Sequence, residues 1–216
     1  MTVISAKVEL TGENEREGIM VDPSPKPYHH GDLREQLLLA GEAALAELPL
    51  IDVSLREIAR RAGVSHAAPK HHFATLGELL GEIAARGFVK FVKTLAEAAD
   101  NAHQQTAHAR LMAMGWAYFR FAEANPAVYG LMFGQMENTV MTPALTNAAY
   151  EAWSQLEAAV AAITGPRRAA VGAVHVWSSV HGLSMLKAAH RLPPHISLHA
   201  IEDDKLRMMI AGLDET

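Results

Sequence analysis

From Asp32 onward, apolar residues fall at three- and four-residue steps. Leu33, Leu37, Ala40, Ala44 and Leu48 share one face of a first helix that stops near Pro49. Ser54-Leu55-Arg56-Glu57 reads as a capping box, in which a serine and a glutamate side chain each satisfy a helix-end amide. It predicts a short second helix with Leu55, Ile58, Ala59 and Ala62 on one face. Gly63-Val64 breaks that helix, and Ser65 is placed to cap a third one running through His72. A second box, Thr75-Leu76-Gly77-Glu78, starts a longer fourth helix with Leu79, Ile83, Phe88, Phe91 and Leu95 facing inward. Past residue 100 the period stays helical, and one helix carries Met112, Trp116 and Phe119. Asn125-Pro126 and Thr142-Pro143 each place a cap before a proline suited to the first helical position. The second of these opens a helix with Leu145, Ala149, Ala152, Leu156, Val160 and Ile163 apolar. Pro166 opens another, running to about His190 and stopped by Pro193-Pro194. Ser197 caps the last, with Ile201, Leu206, Met209 and Ile210 apolar. No segment alternates with the two-residue period of a strand, and no internal repeat or low-complexity tract occurs. The pattern predicts an all-α chain.

Composition narrows the setting. Residues 1–27 read as a flexible tail: Asp22-Pro23-Ser24-Pro25-Lys26-Pro27 resists helix, and Glu9, Glu13, Glu15, Glu17 and Asp22 outnumber Lys7 and Arg16. Phosphate repels an acidic arm, so no DNA role is assigned to it. The formal net charge of the 216 residues is −5, so any contact with nucleic acid has to come from a local patch. The absence of cysteine removes disulfides and thiolate chemistry and fits a reducing compartment. No apolar run reaches the roughly 20 residues needed to span a bilayer, and the start lacks the form of a signal peptide. A cytoplasmic protein with no membrane partner is expected.

The segment Ser54 to His72 carries the most specific information. Two short helices joined by a glycine turn hold the second at an angle that fits a major groove. The first bears Arg56, Arg60 and Arg61, opposed locally by Glu57, and the second bears His66, Lys70, His71 and His72. This stretch is basic although the chain is acidic. Ala67 and Ala68 let the backbone approach bases, and their methyls suit a thymine methyl. Ser65 and the helix-end amides suit phosphate. Pro69, about one turn in, costs at most the first intrahelical bond. Ser54, Arg56, Ser65, His66, Ala67, Ala68, Lys70 and His71 are the candidate DNA-binding residues. The competing reading is a surface hairpin with solvated arginines.

Three runs carry a family resemblance: Tyr28-His29-His30-Gly31-Asp32-Leu33-Arg34, Ser54 to Ser65, and His71-His72-Phe73. Together they resemble the TetR family of bacterial regulators. The stretch Val64 to Pro69 is similar to a subgroup with a C-terminal tryptophan, histidine, glycine signature, here Trp177, His181 and Gly182. The resemblance covers roughly residues 28 to 190. It implies a helix-turn-helix DNA-binding domain over 28–74 and a larger helical ligand-binding and dimerisation domain over 75–216. Phe73 is expected in the core of the small domain. One departure stands out: where the family has a tyrosine that touches backbone phosphate, this chain has Lys70, which offers a point charge without the ring.

In the second half, Val171, Val174, Val176, Trp177, Val180, Leu183, Met185 and Leu186 surround the helix begun at Pro166 nearly completely. A helix apolar on all sides has to be covered on all sides. A homodimer pairing this helix and the last one would do so, with Gly172, Ser178, Ser179 and Gly182 permitting close approach; burial within one chain is the alternative. Two-fold pairing sets recognition elements about 34 Å apart and implies a near-palindromic double-stranded operator. Candidate ligand-binding residues are Met112, Trp116, Phe119, Met132, Phe133, Trp153 and Trp177, with His175 and His181 as polar members. Such a pocket suits a hydrophobic or aromatic small-molecule effector. The twelve histidines form no pattern of metal-ligand spacing, and no nucleophile–base motif occurs, so neither a cofactor, a metal nor an enzyme is expected. The sequence therefore predicts a ligand-responsive repressor, with a helical interaction module as the alternative.

Overall fold

The structure, a computed structural model, describes residues 30–134, 139–195 and 197–214. The acidic tail predicted over 1–27 lies outside the described residues, as do Tyr28 and His29 of the first resemblance run. Every regular element among the described residues is helical. Helix α1 (His30–Glu47) buries Leu33, Leu37, Leu38, Ala44 and Leu45, and a 3-10 turn at Leu50–Asp52 follows Pro49. Helix α2 (Leu55–Arg61) starts where Ser54 Oγ accepts the Glu57 N–H at 3.1 Å. The box is only half formed, because the Glu57 carboxylate is taken by Arg60 and Arg61 instead of returning to Ser54. Gly63 then turns the chain at φ +69, a left-handed conformation that disfavours any side chain.

The third helix differs from expectation. In place of a helix capped by Ser65, a turn at His66–Ala67 leads into a 3-10 helix, Ala68–His71, whose cap position is Ala67. Pro69 is the cause. It has no N–H to give the Ser65 carbonyl, which takes the Ala68 N–H at 3.0 Å, while Lys70 N–H reaches Ala67 O at 3.2 Å. Proline also disfavours the α conformation in the residue before it. Pro69 and Phe73 are buried and anchor this segment to the core.

Helix α3 (Leu76–Asn101) is capped by Thr75: Glu78 N–H reaches Thr75 Oγ1 at 3.1 Å, and the Glu78 carboxylate reaches back one residue beyond the cap to accept the Ala74 N–H at 2.8 Å. Next come α4 (Ala107–Ala124), α5 (Pro126–Phe133), α6 (Pro143–Thr164), α7 (Ala169–Ala188) and α8 (Leu198–Asp214). Thr142 caps α6 as expected, its Oγ1 accepting from Leu145 at 3.1 Å. Asn125 does not cap α5 with its side chain. That amide donates to Phe121 O and accepts from Lys90, tying α4 to α3. Helix α7 begins three residues beyond Pro166, after a turn.

Helix α3 is the centre of the packing. Its first turns meet α1, and the rest meets α4, α5 and α6, while α7 closes against α6, α4 and α8. The strap before α6 rests on α3, where Val140 N–H donates to Gly77 O at 3.1 Å. A Cβ on Gly81 would lie 2.3 Å from the Val140 carbonyl oxygen, so only glycine permits this approach. At the far end, Lys187 of α7 pairs with Glu123 of α4 and Glu202 of α8, and its ammonium sits 5.8 Å from the Phe119 ring centre. No described helix is long and apolar enough to cross a membrane.

Two stability outcomes follow. Lys187→Met strands the Glu202 carboxylate, whose side chain is only 8% exposed; chemical denaturation should show a loss on the order of 3 kcal/mol, largely recovered by adding Glu202→Gln. Gly81→Ala should cost about 1–3 kcal/mol, because the added methyl meets backbone rather than a yielding side chain. Unchanged denaturation midpoints for either variant contradict the packing described.

Candidate functional site

The basic segment and the Ser54–Arg61 helix present one surface. Ser54, Arg56 and His66 line the same shallow cleft, together with Leu48, Asp52, Glu57 and Arg60. With Pro69 and Phe73 turned into the core, Ser65, His66, Ala67, Lys70 and His71 are exposed, and Ala68 is half-buried. The Arg34 guanidinium covers the Phe73 ring at 5.2 Å. The arginines of α2 are not equivalent. Arg60 is held by Glu57 at 2.7 Å, and Arg61 bridges Glu57 and Glu47, both at 2.8 Å. These guanidiniums hold the Glu57 carboxyl down to about 2, far below the usual carboxylate range. Glu47 was missing from the sequence reading because it lies on α1, fourteen residues from its partner. Arg56, His66, Lys70 and His71 have no ion-pair partner among the described residues.

A second site lies inside the helical body. Helices α3 to α7 enclose a cavity of about 660 Å³, within the ~300–1,000 Å³ typical of small-molecule sites. Phe88, Phe91 and Leu95 form one wall, with Leu111, Met114, Gly115 and Tyr118 of α4 beside them. Met141, Leu145, Trp153 and Leu156 face Val174, Trp177, Val180 and His181 of α7. The described lining contains no lysine, arginine, aspartate or glutamate.

Of the residues expected to line a pocket, Met132, Phe133, Trp153, Trp177 and His181 reach the cavity, whereas Met112, Trp116, Phe119 and His175 do not. Helix α4 is apolar on more than one face. The face carrying Leu111, Met114 and Tyr118 looks into the cavity, and Phe119, one residue further round, is packed in the core beneath Lys187. His175 turns to α8, where its Nε2 meets the Met209 carbonyl oxygen at 3.1 Å.

Sequence reasoning missed the two tyrosines at the cavity's polar end. Tyr118 and Tyr129 hydroxyls lie 2.8 Å apart, and His181 Nδ1 lies 2.9 Å from the first and 2.8 Å from the second. Burial raises both phenol pKa values and lowers that of the imidazole, so this cluster is uncharged at neutral pH. The His181 ring packs between Phe133, centroid at 5.0 Å, and Trp177, at 5.9 Å. Among the described residues, no three His, Asp or Glu side chains converge as metal ligands would.

Comparison with known proteins bears on both sites. Residues 111–212 match the family model described as a tetracyclin repressor-like C-terminal domain. No curated protein sequence matches the chain. Among solved structures, a protein of unknown function from Rhodococcus sp. RHA1 is 31% identical, with a TM-score of 0.75, over 88% of this chain and 99% of its own. A possible TetR family transcriptional regulator from Streptomyces coelicolor A3(2) shares the fold at TM-score 0.65 and 17% identity, over 84% of this chain and 98% of its own. So does a Bacillus subtilis transcriptional regulator, FadR, in complex with stearoyl-CoA, at TM-score 0.65 and 12% identity over 82% and 98%. The chain thus carries a tetracyclin repressor-like C-terminal domain over residues 111–212 and shares the fold of a possible TetR family transcriptional regulator along most of its length.

Proposed function

We propose that the protein is a homodimeric repressor that reads a near-palindromic operator with residues 28–74 and responds to an apolar effector held in residues 75–216. The carrying observation is the orientation of the 65–71 segment: Pro69 is buried while His66, Lys70 and His71 face solvent without an acidic partner among the described residues. Lys70 and Arg56 suit backbone phosphate, and His66, beside Ser54 and Arg56 in one cleft, suits a base edge.

Pairing is supported by the surface of α7 and α8. Val171 is 77% exposed, Met208 is 72% exposed, and Val174, Met185 and Leu186 are also open to solvent. A Cβ on Gly182 would meet nothing within 4 Å of its own chain, so that glycine leaves room for a second helix. A second copy laid on this face covers what one chain leaves bare.

Communication between the sites runs through α3. Met141 lines the cavity, and its neighbour Val140 is bonded to Gly77 in the first turn of α3, just beyond Phe73. An occupant that displaces Met141 therefore bears on the helix that carries the DNA-reading segment. It shifts the equilibrium only by its differential affinity for the two conformers. The B. subtilis relative bound to stearoyl-CoA supports the reading that a cavity in this fold takes long apolar molecules.

Fluorescence anisotropy on the intergenic DNA beside the gene, at two salt concentrations, tests this function. Affinity should fall steeply with salt as phosphate neutralisation releases counterions. Lys70→Ala should weaken binding to all sequences alike and reduce the log–log salt slope by about 1. His66→Ala should change sequence preference, with roughly 1–3 kcal/mol lost at one base pair. If both variants bind like the parent, residues 65–71 are not the reading element.

A further inference from the structure

The cavity's chemistry limits what it holds. Its walls are hydrocarbon and aromatic, and its one polar cluster, Tyr118, Tyr129 and His181, sits at the end bounded by α4, α5 and α7. One arrangement of the tyrosine protons sets how that cluster faces the interior. Two hydroxyl protons serve three groups that all lie within 2.9 Å of one another. The arrangement that uses both protons inside the cluster sends one hydroxyl to the other's oxygen and one to Nδ1. The neutral ring then carries its own proton on Nε2. That nitrogen has no hydrogen-bond partner among the described residues, and its ring lines the cavity. It is a donor without a protein partner at one end of a largely apolar chamber.

We propose that the cavity takes an uncharged, mainly apolar ligand ending in one hydroxyl or carbonyl oxygen, which accepts from His181 Nε2, and that it discriminates against the matching carboxylate and CoA thioester. This rests on reading the cavity as the effector site. A hydroxyl or carbonyl oxygen meets the donor without bringing charge. A carboxylate brings a full negative charge to a place where the described walls offer no cation and the imidazole is neutral. A CoA thioester adds phosphate charges that the described lining equally fails to match. The two tyrosines serve as positioning residues: they hold the ring and set its tautomer without being required to touch the ligand.

The test uses the full-length protein and straight-chain probes of eight to fourteen carbons, each offered as alkane, primary alcohol, carboxylate and acyl-CoA. Binding is read from the fluorescence of the lining residues Trp153 and Trp177. The alcohol should bind roughly 3- to 10-fold tighter than the alkane, the gain of one neutral hydrogen bond. The carboxylate should bind on the order of 100-fold more weakly than the alcohol. His181→Phe keeps a ring in place and removes the donor, so alcohol and alkane should then bind equally. Tyr129→Phe, which perturbs the tautomer while keeping the lining, should shrink the alcohol preference without reducing alkane affinity. Thermal melts establish that each variant is folded. A carboxylate or acyl-CoA that binds as tightly as the alcohol overturns the proposal and leaves the effector cavity standing, and so does an alcohol preference that survives His181→Phe. Binding of no probe in the series overturns the effector-site reading, and this proposal with it.

Discussion

Leu79, Leu80 and Ile83 at one end of α3, and Phe88, Phe91 and Leu95 further along, are withdrawn from water by different neighbours: α1 covers the first turns, and α4, α5 and α6 the remainder. Six large apolar side chains at roughly 1.5–3 kcal/mol each make this burial comparable to the whole net stability of a typical domain, even after allowing for a compact unfolded state. The consequence is mechanical as well as thermodynamic. The same helix forms part of the core around Phe73 and part of the cavity wall. On the proposed function, α3 is the element through which a displacement at the cavity would reach the neighbourhood of Phe73. Gly81 tightens the coupling by letting the Val140 carbonyl rest directly on the helix backbone.

Charge is distributed with similar economy. An overall balance of −5 would repel a duplex at long range, so the approach depends on a few local cations. The structure removes Arg60 and Arg61 from that set by pairing them with Glu57 and Glu47. These pairs brace α2 against α1. Arg56, Lys70 and the flanking histidines are left without an ion-pair partner among the described residues, and on the proposed function they are the groups that meet phosphate and base edges.

Features of the fold that are local in chemistry were legible in the sequence. The Ser54, Thr75 and Thr142 caps depend on a side chain and an amide three residues apart, and all three form. The inward face of α3 followed from spacing alone, while on α1 spacing found Leu33, Leu37 and Ala44 but not the buried Leu38 and Leu45. The third helix was misread because Pro69 was treated as costing one bond. Its missing N–H in fact diverts the hydrogen bonding to the three-residue spacing of a 3-10 helix and leaves Ser65 without a capping role. On α4, where apolar residues occupy more than one face, periodicity could not say which face would see the cavity. Size favoured Met112, Trp116 and Phe119, whereas Leu111, Met114, Gly115 and Tyr118 line it. The cluster of Tyr118, Tyr129 and His181 joins three helices across as many as 63 residues, and no spacing rule reports such a meeting. The same holds for Lys187 with Glu123 and Glu202.

Two copies of the 65–71 segment, held by paired α7 and α8 helices, are the core of the functional account. Hydroxyl-radical footprinting of the DNA flanking the gene measures this directly, because it maps each protected sugar on both strands. The account predicts two protected tracts on one face of the duplex, centred about 34 Å apart, one helical turn. A single tract, or protection with no preferred position, would contradict it.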